Sequence, residues 1–505
     1  MYQRSIVSPS RFLNGLTGKS PAVKRELSGG PFVRSKIVCT IGPASSAPET
    51  LRAMIEEGMD VARLNLSHGE YGAHGEVVEV LRELGGVSVL IDLPGPKIRV
   101  GEVDGRVVLR PGDEVHFTTD RVVGNREELP ITYGDLPREV RVGGSLFLND
   151  GLIEVRITSI DGDLRGFRGR VVSGGEVVSH KGVNAPGAAL SLRPPTEGDL
   201  RGIEFGVEVG GDWFAISFIR DRRDVENVRR AVERAGGDQP LISKIEHRDA
   251  IENIDEIIDA SDGVMVARGD LGIEVPPWEV PLLQKRIIAK CNGAGKPVIV
   301  ATQMLESMVI NPRPTRAEAS DVANAILDGA DAVMLSEETA VGLYPIEAVK
   351  AMNSITLAVE QQAPRRRAGR LEEGVPIADV IGNLAATATE TVKPAAIIVV
   401  TRSGFTARMV SKHRPRTRIL AVARSPKVSR RMRLYWGVEP LDVAWTDDRD
   451  ELLIRAVDRS LERGLVKRED VVMIVSGSTL EAPGRTSTLE ILRIEDILYH
   501  ASRRD

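Results

Sequence analysis

Between residues 242 and 274 the chain reads ISKIEHRDAIENIDEIIDASDGVMVARGDLGIE, and two short apolar runs within it end on Lys244/Glu246 and on Arg268/Asp270. A divalent metal and a phosphoryl group together require such groups, because phosphoryl transfer depends on positioning and on charge stabilisation. Lys244 and Glu246 stand two apart in a strand-like stretch, so both side chains point to one face of the sheet. Glu246 and Asp270 offer two hard oxygen ligands which, completed by substrate oxygens and water, suit Mg2+, with Mn2+ as a substitute. An ammonium at the end of an apolar strand is costly unless paired. A bridge to Glu246 accounts for Lys244 structurally, and a phosphoryl group between cation and metal accounts for it chemically.

These residues need a frame, and the chain provides a repeating one. Eight β-branched runs recur: KIVCT (36–40), DVARL (60–64), VSVLID (87–92), WFAISFI (213–219), LISKI (241–245), GVMVA (263–267), PVIVAT (297–302) and AVMLS (332–336). Amphipathic segments such as ETLRAMIEEGM and DVENVRRAVERAG lie between them. Continuous apolar strands alternating with helices read as a parallel sheet covered on its outside, and eight units predict a (β/α)8 TIM barrel of class α/β. Polar residues follow the strands: Arg63, Asn65, Ser67, Asp92, Glu246, Asp270, Thr302 and Ser336. The C-terminal strand ends are where such barrels keep their reactive groups.

One spacer is too long for a helix. From residue 94 to 193 the sequence alternates polar and apolar residues, carries turn pairs such as Asp104-Gly105 and Asp161-Gly162, and lacks helical periodicity, which predicts an inserted β-barrel lid domain. Pro94, Pro96 and Pro194-Pro195 stiffen its two connections. After residue 361 αβ alternation resumes with PAAIIVVT, ILAVAR and VVMIVSG, predicting a C-terminal α/β domain over 362–505. The expected division is a 1–31 N-terminal extension, a barrel over 32–93 and 194–361, the 94–193 lid, and that third domain. The Arg365 to Arg367 run reads as a solvated linker or an interface contact. In the third domain Thr401, Ser403, Gly404, Phe405 and Thr406 lie between a strand and a helix, where backbone N–H groups and hydroxyls can cradle a phosphate.

Composition narrows the function classes. The 67 basic residues nearly balance 72 acidic ones for a net charge of -5, so neither nucleic acid nor a membrane surface is an expected partner. Cys39 and Cys291 are too few for a disulfide framework, and no 18-residue apolar stretch is present. A reducing, cytoplasmic location is expected.

At this point the motifs match a known family. SKIVCTIGPAS, ARLNLSHG, GPKIRVG, NDGLI, KGVNAPGA, SKIEH, MVARGDLGIE, KPVIVATQMLESM, NPRPTRAEASDVANAILDGADAVMLSEETA and GLYP occur in the order and at the spacings of pyruvate kinases, which the chain resembles from about Ser35 onward. The resemblance implies conversion of phosphoenolpyruvate and ADP to pyruvate and ATP, usually by a homotetramer. It makes Glu246 and Asp270 the divalent-metal ligands. Lys244 and Arg63 contact the moving phosphoryl group. Gly269, Asp270 and Thr302 receive the substrate carboxylate, and Thr302, with Ser336 and water, relays a proton to the enolate. Thr40, Pro43, Asn65, His68, Arg99 and Lys181 correspond to the nucleotide side. The loop from Thr401 to Thr406 corresponds to a phosphorylated-effector site, faced by the stretch from Ser476 to Thr486.

Some positions depart from the family's pattern. Asn65, Ser67 and Asp92 match three monovalent-cation ligands, but Leu93 stands where a threonine is usual, and Lys97 occupies a position where the family divides. Members with Glu there tend to require K+ and those with Lys tend not to, so K+ is not expected to be required. Pro94 replaces a common lysine, His247 an asparagine and Glu337 a glycine. Metal-dependent barrel lyases and aldolases also pair carboxylates around pyruvate-like acids, without a nucleotide. A catalytically silent phosphoenolpyruvate sensor is a third reading.

Overall fold

The computed structural model describes residues 32–188, 190–363, 371, 373–477 and 486–501. The 1–31 extension, the Arg365 to Arg367 run and most of the loop after Gly477 lie outside the described residues. Eight strands close on themselves: β1 Lys36–Thr40, β2 Val61–Asn65, β3 Ser88–Asp92, β4 Trp213–Ile216, β5 Leu241–Ile245, β6 Gly263–Ala267, β7 Val298–Ala301 and β8 Ala332–Leu335. Each pairs in parallel with the next, and Lys36 opposite Ala332 joins β8 to β1. This is the predicted (β/α)8 barrel.

The strands are apolar throughout because both faces are covered. Leu90, Ile242, Met265, Ile299 and Met334 fill the interior, while Ile37, Leu64, Val89, Ile245 and Val300 pack outward beneath the helices, all of them buried. Local chemistry starts the helices. Thr196 and Thr315 each cap a helix, Glu197–Glu208 and Arg316–Asp328, through reciprocal capping boxes with Asp199 and Glu318. Among the described residues no helix is long and apolar enough to cross a membrane.

One strand boundary differs from expectation. The run WFAISFI is strand only to Ile216, because Phe218 takes a left-handed φ of 57° and turns the chain across the barrel mouth.

Between β3 and Glu197–Glu208 the chain builds a separate seven-stranded sheet running from Ile98 to Asn184. Its two edges meet where Val100 bridges Ile131 and Gly101 N–H donates to the Pro130 carbonyl at 2.8 Å, so the sheet curls into the expected small β-barrel. Phe117 and Phe167 stack at 5.1 Å in its core. Gly151 at its tip faces Ile273 beside the barrel mouth, so close that an added Cβ would come within 3.3 Å.

The C-terminal domain holds five strands: β9 Ala396–Thr401, β10 Arg418–Ala423, β11 Val438–Leu441, β12 Val471–Ser476 and β13 Thr488–Arg493. Their order is β11-β10-β9-β12-β13, with β13 antiparallel at one edge. The domain sits under the N-terminal ends of the barrel strands. Trp213 meets the Tyr435 ring edge-on at 6.2 Å, Lys36 Nζ donates to the Val438 carbonyl, and Arg414 pairs with Asp331 at 2.9 Å. The opposite, C-terminal rim is left to the lid.

Candidate active site

The polar residues after the strands converge on one cleft of about 1720 Å3 at the rim facing the lid. Thr40, Arg63 and Lys244 stand on β1, β2 and β5, and Ser217, Glu246, Gly269 with Asp270, Thr302 and Ser336 follow the ends of β4, β5, β6, β7 and β8. Phe147, Asp150 and Gly151 of the lid close one side.

Two cations and two carboxylates form the floor. Arg63 Nε donates to Asp92 Oδ2 at 2.6 Å and its Nη1 to Thr40 Oγ1 at 2.8 Å. Lys244 Nζ reaches Asp92 Oδ1 at 3.4 Å and Ser217 Oγ at 2.9 Å, and lies 2.9 Å from Glu246 Oε1. Burial works against the Lys244 ammonium, yet Asp92 and Glu246 more than offset it and hold its pKa above the ordinary lysine value. Burial likewise opposes ionisation of Asp92, but Arg63 and Lys244 keep it below the carboxylate range. Arg63, Lys244 and Asp92 are therefore a charged, preorganised set.

Glu246 is the exception. Burial pushes its pKa up, Lys244 opposes the shift and Asp270 adds to it. Its Oε2 accepts from the turned Phe218 N–H at 2.8 Å, whereas its buried Oε1 faces the Lys244 ammonium alone among the described residues. The Asp270 carboxylate has no hydrogen bond or ion pair among the described residues. A buried carboxylate with one oxygen not held by the backbone, beside a second uncommitted carboxylate, fits a divalent cation that would complete its shell with water and substrate oxygens. No cluster of three or more His, Cys, Asp or Glu suited to a metal occurs among the described residues, so such an ion would depend on this pair.

The β7 end is strained. Thr302 takes a left-handed φ of 68°, unfavourable for a β-branched residue, and Gln303 follows at 54°. The turn is tied down by Arg268, whose Nη2 donates to the Thr302 carbonyl at 2.7 Å while its Nη1 bonds Asp321 Oδ1 at 2.8 Å. The Thr302 hydroxyl accepts from Gly269 N–H at 2.8 Å and donates to the Ala301 carbonyl at 2.5 Å. Gly269 N–H, assigned to the substrate carboxylate, is thus held by Thr302. Among the described residues Ser336 Oγ is buried without a partner.

The remaining residues divide. Pro43, Asn65, Ser67, His68 and Lys97 line the cleft, and burial with the charges of Arg99, Lys97 and Arg63 lowers the His68 pKa. Arg99 and Lys181 belong to the lid and do not line the cleft; Arg99 Nη1 donates to the His180 carbonyl at 2.9 Å. Asp92 is buried beneath the floor with its oxygens engaged by two cations, and the Leu93 carbonyl accepts from Ser217 Oγ at 2.8 Å. His247 caps the Arg248–Glu252 helix and lies 3.7 Å from Glu274. Burial, reinforced by Asp249 and opposed by Arg248, pushes the Glu274 carboxyl up to about 7. Glu337 is exposed at the rim.

The sequence alone gives Ser217, Phe218 and Arg268 no role. The rule that polar residues follow barrel strands points to Ser217 once β4 ends at Ile216. Arg268 is visible beside Asp270 in the sequence, but its partner Asp321 is 53 positions away.

Similarity to known proteins extends over most of the chain. A family model described as "Pyruvate kinase, barrel domain" matches residues 32–349, and one described as "Pyruvate kinase, alpha/beta domain" matches 379–492. The chain is 43% identical over 475 residues to a pyruvate kinase of Bacillus licheniformis, covering 92% of this chain and 81% of that one. It is 44% identical over the same coverage to a pyruvate kinase of Geobacillus stearothermophilus, and 43% to one of Sporosarcina psychrophila. Fold and site together define a phosphotransferase built on a (β/α)8 barrel. The chain belongs to the pyruvate kinase family.

Proposed function

We propose that the cleft transfers the phosphoryl group of phosphoenolpyruvate to ADP, with Lys244 and Arg63 gripping that group and Glu246 and Asp270 holding Mg2+ or Mn2+. The observation that carries this reading is the Glu246 carboxylate and the uncommitted Asp270 carboxylate set together beside a buried ammonium. Bound there, a divalent ion neutralises charge on the transferring oxygens. A β-phosphate oxygen of ADP attacks phosphorus, the bond from phosphorus to the enol oxygen breaks, and its electron pair stays on the enolate. Lys244 and Arg63 stabilise the equatorial oxygens through preorganised charge in a site with little water. The enolate carbon then takes a proton through water ordered by Thr302 and Ser336, since a hydroxyl is too weak an acid to act alone. Asp270 N–H receives the substrate carboxylate together with Thr302 and with Gly269 N–H, which exchanges its bond to the Thr302 hydroxyl for the substrate. Thr40, Pro43, Asn65 and His68 at the barrel rim form the nucleotide side, completed by Arg99 and Lys181 when the lid moves in.

K+ is dispensable in this reading. Lys97 brings a fixed positive charge to the cleft, while Asp92 and the Leu93 carbonyl are already engaged. The C-terminal loop takes a phosphorylated effector: Thr401 Oγ1 accepts from Gly404 N–H at 3.0 Å, Gly404 is left-handed, and Thr406 bonds Thr486 at 2.8 Å. Exposed Trp278, Leu282 and Leu343 support assembly, for which a homotetramer is the proposal. The domain division at 32–93, 94–193, 194–361 and 362–505, and cytoplasmic location, belong to the same proposal.

A coupled assay for pyruvate, with ADP, divalent metal and K+ withheld in turn, tests it. Pyruvate should require the first two and not the third. Release without ADP would favour a lyase, and none under any condition a silent binder. Titration with phosphorylated glycolytic intermediates tests the effector loop, which loses support if substrate saturation does not move.

A further inference from the structure

Consecutive residues after β4 grip two members of the site. The register sets Ile216 against Ser243 of β5 on one side and Ala215 against Asp92 of β3 on the other, so the turn after β4 lies between the ends of both neighbours. Phe218 holds Glu246 with its backbone N–H, and Ser217 meets Lys244 with its side chain.

The Ser217 hydroxyl is polarised in one direction. Its proton is donated to the Leu93 carbonyl at 2.8 Å, so the lone pairs of Oγ are what Lys244 Nζ meets at 2.9 Å. Leu93, Ser217 and Lys244 are all buried, and no second donor to that carbonyl is found among the described residues. An ammonium carries three N–H donors. The other two oxygens beside Nζ, Asp92 Oδ1 at 3.4 Å and Glu246 Oε1 at 2.9 Å, belong to carboxylates. Attraction between charges sets a distance more than an angle, whereas a hydroxyl whose own proton is committed accepts only along its lone pairs. Ser217 therefore sets the direction in which the ammonium stands between the two acids.

Packing locks the serine in place. Gly95, in the first connection to the lid, holds a left-handed φ of 68° and lies so close that an added Cβ would stand 2.6 Å from Ser217 Cβ. Arg220, further along the same turn, donates to the Leu190 carbonyl at 2.5 Å and to the Leu192 carbonyl in the second connection. The turn is seated between the two connections of the lid, and its serine cannot swing aside without displacing the first.

We infer that Ser217 is a positioning residue for phosphoryl transfer, orienting the Lys244 ammonium toward the transferring group by accepting one of its N–H bonds. The inference rests on the role proposed above for Lys244. A double-mutant cycle separates it from a structural role. Ser217→Ala should lower kcat by about 10- to 100-fold, with KM for phosphoenolpyruvate changed by less than about threefold. In Lys244→Met the same substitution should change kcat by less than about twofold, because the group it positions is gone. Circular dichroism and melting temperature establish that each protein is folded. Ser217→Cys, close in size and a weaker acceptor, carries the cycle if the alanine variant does not fold. Equal falls in both backgrounds, or a wild-type kcat in Ser217→Ala, overturn the inference alone. Wild-type turnover by Lys244→Met overturns the reading of the cleft and the inference with it.

Discussion

Lys244 Nζ and Glu246 Oε1 lie 2.9 Å apart in a buried pair, so the ammonium is the one protein group that faces that oxygen among the described residues. An ammonium beside a metal-ligating carboxylate lets both face the same transferring group. Phe218 N–H fixes the other oxygen, so the carboxylate is aimed before any ion arrives.

Glu246→Gln keeps the shape and removes the charge. Its affinity for Mn2+, followed by electron paramagnetic resonance, should fall by roughly 10- to 100-fold, as for loss of a group that supports a metal. Retention of wild-type affinity would remove Glu246 from the metal site.

Asp92→Asn leaves Arg63 and Lys244 facing each other with their shared counter-charge gone. Breaking a buried ion pair of this kind costs about 3 kcal/mol or more. Denaturant unfolding should show that loss, alongside reduced turnover, and a change under about 1 kcal/mol would place the pair among weak surface contacts.

Lys97 gives a cation-specific prediction. At fixed ionic strength, replacing Na+ by K+ should change the wild-type rate by less than about tenfold, a span of roughly 1.4 kcal/mol. Lys97→Glu should make K+ necessary. A K+-dependent wild type would contradict this reading of the cleft.

The lid carries its own pH dependence. His116 Nδ1 lies 2.9 Å from Glu128 and Nε2 2.7 Å from Asp161, so both ring nitrogens donate only when the ring is charged. Burial opposes that charge, but the two carboxylates outweigh it and raise the pKa above the ordinary histidine value. A raised folded-state pKa means that the stabilisation is fully present below the unfolded value and is lost as pH rises through the folded one. The melting-temperature gap between wild type and His116→Gln should therefore be largest near pH 5.5 and shrink above neutrality. A gap constant from pH 5.5 to 8.5 would show that His116 does not titrate in this contact.

How far the sequence could be read follows from range of interaction. Lys244 and Glu246 share a face because of strand alternation, a local rule, and the eight strands announce themselves as apolar runs of helix-separated spacing. The double engagement of Asp92 is invisible locally, since its partners lie 29 and 152 positions away. The β4 end was hidden because WFAISFI stays largely apolar beyond the turn at Phe218. β11, four residues including Pro440, and β13, a half-exposed antiparallel edge, lack the buried run that marked β9, β10 and β12.

The most direct test of the phosphoryl-transfer account is the steady-state turnover of Lys244→Met, with folding checked by circular dichroism and phosphoenolpyruvate binding measured separately. The account predicts a fall in kcat of about 10² to 10³ with the substrate still bound, the usual cost of removing one preorganised charge from a transition state. A folded Lys244→Met protein that releases pyruvate at the wild-type rate would contradict it.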